Sequence, residues 1–364
     1  MPEPLHPALH TAFCARVGVR YPLVQTGMGW VAGPRLVAAT CEAGALGILA
    51  SATMTLEELR TAIAEVRRRT QAPFGVNLRT DVADVEARID LMIEAGARVA
   101  SFAQAPNPAL VTRCKEAGLF VVPTVGARRH AEKVAEWGVD AVIAQGGEGG
   151  GHTGTVPTTL LLPQVVDAVG DKVLVLGAGG FFSGRGLVAA LAYGAAGVAM
   201  GTRFLLSAES RVPDAVKELY LATAVTGTVV TTKVDGAPQR VVRTDLVDHL
   251  ESQSWLRALP RALRSAYRFR QETGATMTSL VREGRAMKEG SELTWAQVLM
   301  AANAPVMTKA ALVEGRTDVG VLPTGQVVGV LESLPSVADI VGAIMREADE
   351  ILRDWSAAPP PGAR

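Results

Sequence analysis

Between Gln145 and Gly154 the chain reads QGGEGGGHTG, six glycines and one histidine in ten residues. A backbone stripped of Cβ atoms makes either a flexible loop or a surface against which something flat can lie closely. His152 follows Gly149, Gly150 and Gly151 directly, and an imidazole is suited to taking a proton near neutral pH. His6 and His10 in the N-terminal tail, His130 at a helix start and His249 have no comparable company. Two further glycine turns follow apolar runs: GAGGFFSGRG, leading into a helix start near Ser183, and MGTRF. Backbone N–H groups exposed in such a turn, ahead of a helix N-terminus, attract an anion. Gly179, Gly180, Gly201 and Thr202 are therefore expected to cradle one phosphate. Singly, each glycine could serve only a tight turn; together they favour a phosphate.

Three more features extend the pattern. QTGMGW places Gly27, Met28 and Gly29 after an apolar run, with Trp30 beside them. Met28 offers a polarizable surface for a flat ring. Asn77 and Gln145 close two other runs, and each amide carries both donors and acceptors. A phosphate, a polarizable sulfur and two amides suit a flavin-like cofactor, although a core methionine and two capped amides would read the same way. On the flavin reading His152 is the base, and Gly150 and Gly151 are cofactor-binding residues that let the ring approach the backbone.

These residues need a scaffold that brings them to one place. Short apolar runs recur about every twenty-five residues with amphipathic helical patterns between them. They are Pro22–Gln25, Leu46–Leu49, Phe74–Leu78, Val99–Phe102, Phe120–Thr124, Ala141–Gln145, Val173–Leu176 and Gly197–Met200. Continuous apolar strands are buried on both faces, as in parallel sheets. Eight such units predict an α/β fold over residues 1–205, a (β/α)8 TIM barrel in preference to the doubly wound sheet that the same pattern allows. In that fold the strand C-termini carry the chemistry, and the residues named above are strand ends. Residues 206–302 are expected as a mainly helical insertion, a substrate-side lid or an interface, with a hairpin turned at Asp235-Gly236. Residues 303–364 should close the barrel and end in a helix over Val337–Leu352. Within the insertion Arg257, Arg261, Arg264 and Arg268 share one helical face. That stripe is a solvated surface unless it borders the barrel mouth, where it could hold an anionic handle such as the phosphates of coenzyme A.

Composition narrows the classes. The chain has 364 residues, 36 basic against 36 acidic, so no field draws it to nucleic acid or a membrane. Cys14, Cys41 and Cys114 show neither disulfide nor metal-ligand spacing, and no metal is expected. No signal peptide is read at the N-terminus, and the apolar stretch Gly186–Gly201 reads as a helix running into a buried strand. Reduced thiols then fit the cytoplasm.

The motifs QTGMG, QGGEGGGHTG and GAGGFFSGRGLVAALAYGAAGVAMGTRF, in that order, resemble the FMN-dependent nitronate monooxygenase (2-nitropropane dioxygenase-like) family, which includes flavin-dependent enoyl-thioester reductases. The resemblance implies a TIM barrel with FMN held after strands seven and eight, and the GGHxG histidine as catalytic base. That role falls on His152, with Met28, Asn77, Gln145, Gly151, Gly180, Gly201 and Thr202 around FMN. VQTGMGWVAGPRLVAAT, EGGGHTGTVPTTLLLP and KVDGAPQRVVRTDLVDHLES are similar to an actinobacterial subgroup of steroid degradation. It implies dehydrogenation of a bicyclic acyl-CoA; Trp30, where many nitronate enzymes have small residues, and the arginine stripe are then the expected substrate contacts. The alternatives are nitronate oxidation with oxygen, enoyl-thioester reduction, and a flavin- or acyl-CoA-binding module without turnover. Oxygen, NAD or a protein are the candidate electron acceptors, and the insertion could equally contact a second subunit.

Overall fold

The computed structural model describes residues 4–80, 82–103, 105–252 and 304–357. The chain folds as two compact units, the first made of Met1–Gly149, Gly154–Arg211 and Leu331–Arg364, the second of Gly150–Thr153 and Val212–Val330.

In the first unit, parallel strands close into a barrel in the order β1 (Leu23–Gln25), β2 (Leu46–Ala50), β3 (Phe74–Leu78), β4 (Val99–Phe102), β5 (Phe120–Val125), β6 (Ala141–Gln145), β8 (Leu174–Ala178) and β9 (Val198–Met200). These are the expected apolar runs, shifted at their ends by at most two residues. Closure is made by β1 against β9, with Val24 opposite Ala199. Alternate residues point inward. Val24, Leu46, Ile48, Val99, Phe120, Val122, Ala141, Ile143, Leu176, Ala178 and Ala199 form one buried cluster that fills the barrel. Helix α1 (Ala12–Val17) adds Phe13 and Val17 to that cluster. Phe13 meets Phe120 edge-on at 6.1 Å, so α1 seals the N-terminal end of the barrel. In order along the chain come α2 (Pro34–Glu42), α3 (Leu56–Arg69), α4 (Val85–Glu94), α5 (Pro108–Glu116), α6 (Arg128–Glu136), α7 (Thr158–Val169) and α8 (Gly184–Ala192). Each of these helices follows a barrel strand, which the right-handed crossover requires of parallel neighbours. Ser183 caps α8 through its hydroxyl, as its sequence position predicts. A short helix α9 (Thr202–Leu205) follows β9.

The second unit contains α10 (Asp214–Leu221), β10 (Thr228–Thr231), β11 (Gln239–Val242), α11 (Asp245–Ser252) and α12 (Ala304–Leu312). Expected as mainly helical, its described part also holds an antiparallel sheet in which β11 lies between β10 and a short strand from the glycine stretch. The hairpin forms where β-branched Thr228–Thr231 faces Gln239–Val242, and its connection spans residues 232–238, with Asp235-Gly236 inside and Gly236 at φ 88°. Strand β7 is only Gly151–His152, from the glycine stretch, pairing antiparallel with β11. The last helix, α13 (Val337–Ala357), belongs to the first unit and packs on α8 and α2. Among the described residues no helix is long and apolar enough to cross a membrane, and no group of three His, Cys, Asp or Glu could hold a metal ion. All three cysteines are free and buried.

Candidate active site

The inward parity of the barrel strands locates the mouth of the first unit. One inward step beyond the buried cluster, at the C-terminal ends, come Thr26, Ala50, Asn77, Ser101, Thr124, Gln145, Gly180 and Gly201. A ring of five polar residues, one alanine and two glycines thus caps an apolar core. Asn77 is 7% exposed, its Nδ2 donating to Ser101 Oγ at 3.3 Å. Four expected residues, Asn77, Gln145, Gly180 and Gly201, are members of this ring. Ser101 and Thr124 were not anticipated, though counting in twos along VASF and FVVPTV would have found them.

The loop after β1 is held against the same ring. A Cβ on Gly27 would collide with Asn77 Cβ and lie 2.9 Å from its Cγ, so only glycine permits this approach. Met28 is half-buried, its carbonyl accepting from Val31 and Ala32, and its sulfur lies 3.4 Å from where a Gly201 Cβ would stand. Trp30 holds φ at 58°, the one non-glycine residue at positive φ among those described. Thr53 Oγ1 accepts from its amide at 3.4 Å, a Gly29 Cβ would press on Thr53 Cγ2 at 3.0 Å, and Arg211 donates to the Trp30 carbonyl. Trp30 is therefore strained and pinned from both sides.

The turns after β8 and β9 carry the residues expected to cradle a phosphate. Gly179 and Gly180 hold φ at 90° and 81°, conformations a side chain resists. The Cβ position of Gly180 is open, meeting only Glu148 at 3.8 Å. Gly201 caps α9, and Thr202 is its buried first residue. Next in sequence, Arg203 is buried, donating to the Leu206 and Ser333 carbonyls at 2.6 and 3.2 Å, with Nε unpartnered. No carboxylate among the described residues pairs with it, and burial pushes the guanidinium down to about 10. The glycine turns and the start of α9 fit a bound phosphate.

The glycine stretch is neither loose nor wholly cleared for a ligand. Gly147 N donates to Val156 O at 2.8 Å and Gly146 N to Ala178 O at 2.9 Å. A Gly146 Cβ would lie 2.5 Å from Thr158 N, so this glycine is needed by the protein's own packing. Glu148, which no motif singles out, accepts from Thr158 N at 3.0 Å and Thr158 Oγ1 at 2.7 Å, tying the loop to the start of α7.

In the second unit, a Gly150 Cβ would lie 2.7 Å from Thr324 Cα, and Gly151 holds φ at 65°. His152, 66% exposed at its side chain, lies opposite Gln239 across the β7–β11 ladder. Its Nε2 is 2.7 Å from Asp235 Oδ2 and 3.3 Å from Gln239 Nε2, and Gln239 also donates to that same carboxylate oxygen. Asp235 is 10% exposed. Burial alone would raise its carboxyl, but the bond and charge of His152, the Ala237 amide and the Gln239 amide hold it below the ordinary carboxylate range. Asp235 reads as a turn residue in the sequence; nothing local could pair it with a histidine 83 residues earlier. Arg257, Arg261, Arg264 and Arg268 lie outside the described residues.

Fold and ring together define a (β/α)8-barrel protein with its chemistry-bearing residues at strand C-termini. The chain belongs to the nitronate monooxygenase family, whose model matches residues 10–87 and 82–347, and it is an oxidoreductase. A relative from Mycobacterium tuberculosis (strain ATCC 25618 / H37Rv) is 59% identical over 96% of this chain and 99% of its own. Its name is (3aS,4S,5R,7aS)-5-hydroxy-7a-methyl-1-oxo-octahydro-1H-indene-4-carboxyl-CoA dehydrogenase. A relative of the same name from Rhodococcus jostii (strain RHA1) is 58% identical over 93% of this chain and 96% of its own. A probable nitronate monooxygenase from Staphylococcus saprophyticus is 30% identical over 66% of this chain and 80% of its own. Among solved structures, FabK from Thermotoga maritima superposes with a TM-score of 0.76 at 31% identity, covering 95% of this chain and 98% of FabK. Nitroalkane oxidase from Streptomyces ansochromogenes gives 0.74 at 25% identity, covering 94% and 99%.

Proposed function

We propose that this protein is an FMN-dependent dehydrogenase acting on a bicyclic acyl-CoA of steroid ring degradation. The observation that carries this reading is the 59% identity to the mycobacterial dehydrogenase along 96% of the chain, which takes in the second unit as well as the barrel. The similarity to the staphylococcal nitronate relative covers only 66%. FMN when bound supplies an acceptor for a hydride. Gly179, Gly180, Gly201 and Thr202 would hold its phosphate, while Asn77 and Gln145 would face the ring edge, Met28 and Gly27–Gly29 its flat side. The open Gly180 position supports that assignment.

His152 would take the proton α to the thioester, a proton the neighbouring carbonyl acidifies. Trp30, fixed in a strained conformation, would bound the substrate, and the arginine face formed by Arg257, Arg261, Arg264 and Arg268 would meet the coenzyme A phosphates. Residues 206–302 would then serve as the substrate-side element or an interface, NAD is a candidate acceptor for the electrons, and the cytoplasm is the expected compartment.

The test is anaerobic mixing of the FMN-loaded protein with a bicyclic steroid-derived acyl-CoA or with an alkyl nitronate, following loss of oxidised-flavin absorbance. Bleaching by the thioester alone is expected. Bleaching by the nitronate alone would assign the family's nitronate oxidation instead. His152→Asn should keep flavin and lose bleaching; wild-type rates in that variant would remove the base assignment.

A further inference from the structure

We infer that Asp235, held by Gln239, is the positioning residue for His152, fixing the ring with its proton on Nε2 and so making Nδ1 the nitrogen that accepts the substrate's proton. The inference rests on His152 being the base proposed above.

The geometry lies wholly within the second unit. Register places Gln239 directly across from His152, so their side chains are cross-strand neighbours. Asp235 comes from the β10–β11 connection, and its two oxygens have different tasks. Oδ1 accepts from the Ala237 amide at 3.1 Å, closing the turn that carries the carboxylate. Oδ2 faces His152 Nε2 at 2.7 Å and accepts from Gln239. An ionised carboxylate can only accept, so the hydrogen in the short bond to His152 must sit on Nε2. In neutral imidazole the other nitrogen then carries the lone pair. The exposure contrast, 66% for His152 and 10% for Asp235, suits a base that reaches out from a carboxylate kept in.

Burying a carboxylate is costly unless it is paired. Asp235 is paired through His152 and the Ala237 and Gln239 amides. When Nδ1 takes a proton from the α-carbon, the carbon keeps the bonding electrons, the ring gains one positive charge, and that charge faces Oδ2. A turn carboxylate with no such task would need neither the second oxygen aimed at the ring nor Gln239 to fix it.

The experiment uses full-length, FMN-loaded protein with 15N-labelled histidine. At about pH 9, where an ordinary imidazole is neutral, long-range 15N–1H spectra should show His152 as the Nε2–H tautomer in wild type. Asp235→Asn should lose that tautomer preference. Its bleaching by the acyl-CoA at saturating substrate should slow by roughly 10²–10⁴-fold, the range a positioned general base supplies. Flavin content and the half-saturating substrate concentration should stay within about threefold, a split that misfolding would not give. Wild-type tautomer and rate in Asp235→Asn, with His152→Asn inactive, would overturn the inference while leaving the base in place. Full bleaching in His152→Asn would instead remove the base, and the tautomer measurement would still report on Asp235. If Asp235→Asn does not fold, Gln239→Leu is read by the same spectra, with a smaller shift toward Nδ1–H and a loss of about tenfold expected; an unchanged tautomer and rate there overturn the inference.

Discussion

Gly27 has no room for a side chain, because Asn77 occupies the place a Cβ would take. Gly27→Ala must push either the β1 loop or Asn77 out of the mouth, at a cost of about 1–3 kcal/mol for overpacking. The variant should show a lower melting temperature and, on the proposed reading, a reduced flavin-to-protein absorbance ratio after gel filtration. Full retention of flavin would detach Asn77 from the cofactor. A second consequence concerns thiols. Burial pushes Cys41 up to about 12 and Cys114 to about 11, so the reactive thiolate is scarce at neutral pH. Iodoacetamide at about pH 8 should leave both unmodified in the native protein and label them after denaturation, as a mass spectrum would report. At this scale the sequence was informative where a residue's role depends on its place in a strand. Asn77, Gln145 and Gly201 could be found by strand ends and parity. Asp235 could not, since its meaning depends on a register between segments 83 residues apart. The glycines of the 145–154 stretch were legible as special, yet Gly146 and Gly150 proved to be filled by Thr158 and Thr324 and not by open space.

Among elements, α3 carries a complete capping box: Thr55 accepts from Glu58 N while Glu58 accepts from Thr55 N. Thr55→Ala should cost about 1 kcal/mol, measurable as a lower denaturation midpoint with flavin content unchanged. The contact between α8 and α13 depends on Gly184, whose Cβ would stand 2.5 Å from Ala348 N and 2.6 Å from Ile344 O. Elements were legible wherever a long period declared them. The eight barrel strands are short runs rich in Val, Leu, Ala and Phe, and α13 repeats an apolar face over Val337, Ile340, Val341, Ile344, Met345 and Ala348. Strand β7 was not legible: a Gly–His pair has no strand preference of its own, and β11 makes it a strand by offering an edge.

For the whole molecule, acid is the informative perturbation. Asp84 is held low by its bond to Arg88, and Asp235 is held low by His152 against the opposing effect of burial. A carboxyl lowered in the folded state binds fewer protons there than in the unfolded chain. Its stabilisation is therefore present above the ordinary value near 3.8 and is lost as pH falls through and below it. Thermal midpoints should decline from about pH 5 downward, and Arg88→Met together with Asp235→Asn should flatten that decline. A profile with the same slope in the variants would assign the acid sensitivity to other groups.

Order of synthesis adds a last consequence. The ribosome completes the final barrel strand at Met200 and has made His152 well before, yet Asp235 and Gln239 emerge only afterwards. A nascent chain can thus own every barrel strand and its histidine while that histidine still lacks the partners that set it. A premature stop between Met200 and Asp235 would leave a chain with the whole list of barrel motifs and a histidine without its carboxylate partner, so short fragments of this gene should not be credited with its chemistry on motif content alone.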